Sequence, residues 1–323
     1  MQAIDRIHHE AVVVDLHCDT LLDLQAGKRA LVPSGPPQGH VDLPRLKAGG
    51  VDVQVFAVYI APEMAGRGYQ RALELIETFH REVQQNAGEI GHARTVEEIE
   101  SLLRQGKVAA VLSIENGDAL EGRLENLDRL YAQGVRILSL TWNHANALAD
   151  GATQQVHGGL TPLGREVVAR MNELGMVLDV SHLSEEAFWE ALRIARGPVV
   201  ATHSNAAVLA PHPRNLTDAQ LQAIAACGGV VGVNFYPDFL GSGEATVEKV
   251  LDHITYMARV MGVDHVALGS DFDGISKTPA GLEDVSKVPA ITRGLLRRGY
   301  TEEEAKKILG ENALRVFREV WGR

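Results

Sequence analysis

Six residues able to ligate a metal or carry a proton each stand where a short apolar run ends. His17 and Asp19 follow Val12-Val13-Val14, and Glu115 follows Ala110-Val111-Leu112. His182 comes after Val177-Leu178, His203 after Val199-Val200, and Asp271 after Val266-Ala267-Leu268. Histidine, aspartate and glutamate hold zinc-like cations through nitrogen and oxygen. If the apolar runs are parallel strands of one α/β barrel, their carboxyl ends share a face and the six side chains converge there. That convergence predicts a metal-dependent active site.

The spacing within each motif adds detail. His17 and Asp19, two residues apart, lie on one side of a strand end, which turns Cys18 away into packing. Two-metal hydrolases need an anion between their cations, and some recruit a modified lysine. All eight lysines lie away from the run ends, so Glu115, in Ser113-Ile114-Glu115-Asn116-Gly117, is the best-placed bridging carboxylate. His182 and His203 end successive runs, 21 residues apart, and look like the ligands of a second cation. Asp271, in Gly269-Ser270-Asp271-Phe272-Asp273-Gly274, can take a proton from activated water and pass it to a leaving amine. Asp273, beside Gly274, reads as a turn or capping residue. Arg214, in His212-Pro213-Arg214-Asn215, has the planar fork to clamp a substrate carboxylate. His265 opens its run and so faces the far end of the barrel, while His8, His9, His40, His80, His92 and His253 read as surface residues.

The positioning elements are eight apolar runs: 12–15, 53–59, 109–114, 136–141, 177–181, 199–202, 230–235 and 265–270. They are continuous rather than alternating, as suits strands buried on both faces. Amphipathic helical stretches such as Leu163–Leu174 separate them. Strand–helix repetition of this count predicts a (β/α)8 TIM-like barrel with extra loops at its carboxyl-end face, in one domain spanning 1–323. No G-x-G-x-x-G turn follows the first run, which argues against a nucleotide-binding open sheet. Residues 27–40 and 151–164 are glycine-rich loops on the site side. Near the end, Thr301 and Glu304 make a capping box for a helix expected to continue over 305–320.

Composition narrows the function. The 323 residues carry 42 acids against 31 bases, a net charge of −11 with no basic cluster, so nucleic acid and anionic membranes are poor partners. Two cysteines, Cys18 and Cys227, make no disulfide framework. Residues 1–10 lack the apolar core of a signal peptide, and no run approaches the ~18 residues that would span a bilayer. A cytoplasmic protein is expected, acting alone or as a homodimer.

At these residues the chain resembles the membrane (renal) dipeptidase family of the amidohydrolase superfamily. The resemblance runs nearly end to end. It rests on Asp15-Leu16-His17-Cys18-Asp19-Thr20, Ile114-Glu115-Asn116-Gly117, Val180-Ser181-His182, Thr202-His203-Ser204, Arg214-Asn215, 269–274 and 281–287. It implies a distorted barrel holding two zinc ions, one on His17 and Asp19, the other on His182 and His203, bridged by Glu115. Asp271 is then the proton carrier and Arg214 the site for the substrate's terminal carboxylate. A hydroxide held between the metals would attack the carbonyl of a dipeptide, often one with a D-configured carboxyl-terminal residue. N-acyl amino acids, lactones and β-lactams are the alternative substrates for such a metal core, and a non-catalytic metal-stabilised scaffold is the remaining one. One departure stands out. The family often has a substrate-contacting histidine after Leu-Thr at the fourth strand, and here Leu140-Thr141 is followed by Trp142, with His144 two residues later.

Overall fold

The computed structural model describes residues 3–322. Nine parallel strands form its sheet: β1 (Val14–Cys18), β2 (Val53–Tyr59), β3 (Ile90–His92), β4 (Val108–Glu115), β5 (Val135–Ser139), β6 (Val177–Asp179), β7 (Val200–Ala201), β8 (Val230–Val233) and β9 (Val266–Leu268). Eight of them close a TIM-like (β/α)8 barrel. The order runs β2-β1-β9-β8-β7-β6-β5-β4, and β2 pairs with β4 over seven residues, Val53 with Ala109 through Tyr59 with Glu115, to complete the ring.

The extra strand is β3, which the sequence reading missed. It pairs Ile90–His92 with Val108–Ala110, while β5 takes the later part of β4 from Leu112. Register irregularities occur on β1 between Asp15 and Cys18 and between β4 and β5, so the barrel is distorted as expected. His17 lies inside the first of these, and such irregularities re-aim side chains beside active sites.

The strand starts Val14, Val53, Ala109, Val177, Val200, Val230 and Ala267 share one buried cluster with Ala313, Leu314, Val316 and Phe317. The helix Asn312–Trp321 therefore plugs the amino-terminal end of the barrel, leaving the carboxyl ends open to substrate. Its approach is not one continuous helix. A π-turn over Lys307–Glu311 separates it from the helix Glu302–Lys306, whose capping box is present as expected. The turn brings Gly310 onto the first strand, where an added Cβ would sit 2.2 Å from the Val12 carbonyl oxygen. Other helices start on side-chain caps, Thr161 for Pro162–Leu174 and Ser184 for Glu185–Ile194, which sets where each carboxyl-end loop stops.

Candidate metal centre and active site

The carboxyl ends of β1 and β9 are stitched together by a buried carboxylate. Asp15 accepts from the Ser270 backbone N–H at 2.8 Å, from Ser270 Oγ at 2.6 Å and from Gln54 Nε2 at 3.1 Å. The Asp271 N–H then donates to the His17 carbonyl, and the Asp19 N–H to the Phe272 carbonyl. His17, Asp19 and Asp271 are held together before any ligand arrives.

Glu115, at the end of β4, faces both halves of the site. Its Oε2 lies 3.4 Å from His17 Nε2, which is also 3.4 Å from Asp19 Oδ2. Its Oε1 lies 2.9 Å from His182 Nε2 and 3.7 Å from His203 Nε2. Those two imidazole nitrogens approach each other to 2.7 Å. Three overlapping donor groups result: His17–Asp19–Glu115, Glu115–His182–His203 and His17–His203–Asp271. The structure thus brings together all five residues expected as ligands, with Asp271 beside them.

These residues fit cations. His17 Nε2 and Asp19 Oδ1 are buried with no hydrogen-bond partner, and buried polar atoms are rarely left so. Electrostatics divides the set. Burial alone would raise Glu115 and lower His17. Their mutual attraction prevails, holding the carboxyl well below the usual carboxylate range and the imidazole well above its own. Burial and the Glu115 charge push Asp19 up to about 7. Burial, reinforced by the Arg214 charge, lowers His182 to about 3, and burial with the neighbouring His17 takes His203 well below its ordinary value. Neutral His182 and His203 beside ionised Glu115 are in the protonation state that metal binding requires, whereas His17 and Asp19 must give up protons as a cation binds.

Asp271 stands at the edge of this cluster. Its Oδ2 accepts from Asn234 Nδ2 at 2.9 Å, and burial raises it to about 6 against the pull of His17. His182 and Asp271 both adopt positive φ, +71° and +63°. Such conformations cost ~1–3 kcal/mol each in non-glycine residues and gather at active sites. Gly274 leaves room for the carboxylates, since a Cβ there would fall 2.2 Å from Asp19 Oδ2 and 2.6 Å from Asp271 Oδ1.

Arg214 is only 3% exposed. Its Nη2 donates to the His203 carbonyl at 3.2 Å and its Nη1 to Ser204 Oγ at 3.4 Å, while Nε has no partner. Burial lowers its pKa to about 10, so it stays cationic at neutral pH. Arg214, Asp271 and the histidines line a cavity of about 410 Å³ walled by Tyr59, Trp142, Tyr236 and Phe239. That volume suits a small molecule.

Several sequence expectations meet the structure differently. His8 and His253, read as surface residues, are buried. His8 bonds Thr292 and the Gly49 carbonyl, and His253 Nδ1 accepts from the Ala206 N–H. His144 is exposed, and Trp142 and Asn143 line the cavity instead. Asp273 sits in a turn and anchors the 27–40 loop, accepting from Thr20 Oγ1, the Arg29 guanidinium and the His40 N–H. Cys18 is buried in the core as expected. Sequence reasoning missed Asn143, Asn234, Asp179 and Thr202. The signal for Asn234 was a polar residue inside the apolar run 230–235. Asn143 carried none, since its role depends on reaching His182 Nδ1 at 2.9 Å.

A family model described as membrane dipeptidase, peptidase family M19, matches residues 1–321. The chain belongs to the membrane dipeptidase family. It is a metallo-dipeptidase by that membership, and two relatives are themselves named dipeptidases. Dipeptidase tcpJ of Claviceps purpurea is 34% identical over 301 residues, 89% of this chain and 71% of that protein. The dipeptidase AC, another M19 metallopeptidase, is 33% identical with a TM-score of 0.91, covering 97% of this chain and 99% of that one. A Rhodobacter sphaeroides metallopeptidase, solved with a phosphinate mimic of the dipeptide L-Ala-D-Ala, is 31% identical. Its TM-score is 0.90, with 96% of this chain and 99% of that chain covered. In this dipeptidase no described helix is long and apolar enough to cross a membrane.

Proposed function

We propose that this chain, acting as one catalytic unit, is a binuclear zinc dipeptidase whose substrates have a free carboxyl terminus and accept a D-configured residue there. The observation that carries the reading is Glu115, with one oxygen toward His17 and the other toward His182 and His203. His17 and Asp19 would hold one zinc, His182 and His203 the other, and Glu115 would be shared. When bound, the ions would supply Lewis acidity, polarising the scissile carbonyl and lowering the pKa of water towards ~7.

The remaining steps belong to side chains. Asp271, raised to about 6, is ionised at neutral pH yet basic enough to take the proton of the attacking water. The Asn234 amide steadies one of its oxygens, leaving the other free to hand that proton to the leaving amine. Arg214 receives the terminal carboxylate through its unengaged N–H groups, and Phe239, 5.5 Å beneath the guanidinium, limits its movement. Trp142 and Tyr59, in edge contact at 5.6 Å, add an aromatic wall to the cavity. The D-residue preference draws on the L-Ala-D-Ala mimic bound by the 31% identical Rhodobacter enzyme.

Zinc-loaded protein should hydrolyse Ala-D-Ala and Ala-L-Ala, favouring the D-configured substrate, and leave amidated dipeptides and N-acetyl-alanine nearly untouched. Faster turnover of N-acetyl-alanine or of a lactone would replace the dipeptidase reading with a broader amidohydrolase.

A further inference from the structure

Behind His203 runs a chain of buried hydrogen bonds that ends on a carboxylate outside the cavity. His203 Nδ1 lies 2.8 Å from Thr202 Oγ1, and Thr202 Oγ1 lies 2.6 Å from Asp179 Oδ2. Asp179 Oδ1 accepts two backbone N–H groups, from Ser181 at 2.9 Å and Thr202 at 3.0 Å. All three residues of the chain are nearly inaccessible to solvent.

Counting hydrogens assigns the direction. A hydroxyl has one hydrogen and two acceptor sites, and an ionised carboxylate has no hydrogen to give. The 2.6 Å contact with Asp179 therefore takes the Thr202 hydrogen. The 2.8 Å contact can then form only if His203 Nδ1 is the donor. His203 is left with its lone pair on Nε2, the nitrogen that faces Glu115 and His182.

We infer that Asp179 and Thr202 are positioning residues that lock His203 in the Nδ1–H tautomer and so present Nε2 for ligation. The inference rests on the reading of His203 as a zinc ligand, but the tautomer itself does not. Partners of this kind commonly change metal affinity 10- to 100-fold when removed.

Asp179→Asn tests the direction of the relay. The two backbone donors should keep the amide oxygen at the Oδ1 position, which places Nδ2–H against Thr202 Oγ1. The hydroxyl hydrogen, released from the carboxylate, then turns to His203 Nδ1 at 2.8 Å in preference to the longer 3.4 Å contact with Ser181 Oγ, and the imidazole proton moves to Nε2, where it blocks ligation. Long-range proton–nitrogen NMR on the full, chelator-treated chain reads the tautomer, with His203 assigned by comparison with His203→Ala. Wild type should show Nδ1–H and Asp179→Asn Nε2–H, with zinc affinity in chelator competition about 10- to 100-fold lower. Thr202→Val cuts the relay and should weaken zinc similarly, while Thr202→Ser restores it. If Asp179→Asn does not fold, the Thr202 pair carries the test. An Nδ1–H tautomer in Asp179→Asn, or wild-type zinc affinity in both Asp179→Asn and Thr202→Val, overturns the inference. Wild type that binds no zinc yet shows the relay tautomer would instead defeat the zinc-ligand reading alone.

Discussion

Replacing Arg214 with alanine should cost the enzyme a charge-assisted contact to the substrate carboxylate, and the structure sets its size. Two of the guanidinium's five N–H donors are used by the protein, at 3.2 and 3.4 Å, and Nε is unpartnered. At least three remain for a carboxylate. The group is 3% exposed and cationic at neutral pH, so solvent screens the contact little. A hydrogen bond to a charged group is worth roughly 1.5–3 kcal/mol, which converts to a fall in kcat/KM of about 10- to 150-fold. Amidating the dipeptide's carboxyl terminus deletes the same contact from the other side and should cost wild type a similar factor. The assay is a double cycle of wild type and Arg214→Ala against Ala-D-Ala and its amide, with zinc content measured because Arg214 also bonds the His203 carbonyl. Arg214→Ala should lose little more on the amide than wild type does, because one interaction cannot be removed twice. If the two losses multiply, or wild type cleaves the amide as well as the acid, Arg214 does not read the carboxylate.

Three further outcomes follow from the site's geometry. Asp271→Asn should lower kcat by about 10²–10⁴ with metal content intact, and the acidic limb expected of wild type near pH 6 should be absent; near-normal turnover would remove Asp271 from proton transfer. Gly274→Ala drives a methyl group toward Asp19 and Asp271; the overpacking should destabilise the fold by about 1–3 kcal/mol, read as a lowered denaturant midpoint, and an unchanged midpoint would show that the turn yields freely. In metal-free protein Asp19 is raised to about 7 from 3.8, so the stability its protonated form contributes is present below pH ~4 and lost as pH rises through about 7. Denaturant midpoints in the presence of chelator should therefore fall less between pH 5 and 8 for Asp19→Asn than for wild type, and equal falls would contradict the assignment.

How much of this was legible in the sequence depended on the range of the forces involved. The eight barrel strands were readable because strands buried on both faces are predominantly apolar, as Val53–Tyr59 is apart from Gln54 and Val108–Glu115 apart from Ser113 and Glu115. β3 was not, since Ile-Gly-His is three residues long and stable only on the edge of β4. The π-turn was hidden as well, because Lys307–Glu311 contains good helix formers and only Gly310 meeting the Val12 carbonyl explains it. Metal-type residues at strand ends were conspicuous by chemical type. Their supports were harder to read: Asn143 carries no signal until folding brings it to His182, 39 positions on, while Asp179 and Asn234 stand out only as polar residues inside apolar runs, with partners Thr202 and Asp271 lying 23 and 37 positions away. His253 did leave a signal that went unread. It falls three residues after Val250 and four before Met257, on the buried face of the helix Val247–Met261.

We propose that Glu115 joins two cation sites. Elemental analysis of zinc-loaded, dialysed protein tests it most directly, with His182→Ala measured alongside. Wild type should retain about two zinc ions per chain and His182→Ala about one, because His17, Asp19 and Glu115 remain for the other. One ion or none in wild type, or two retained by His182→Ala, would contradict a binuclear centre built on these residues.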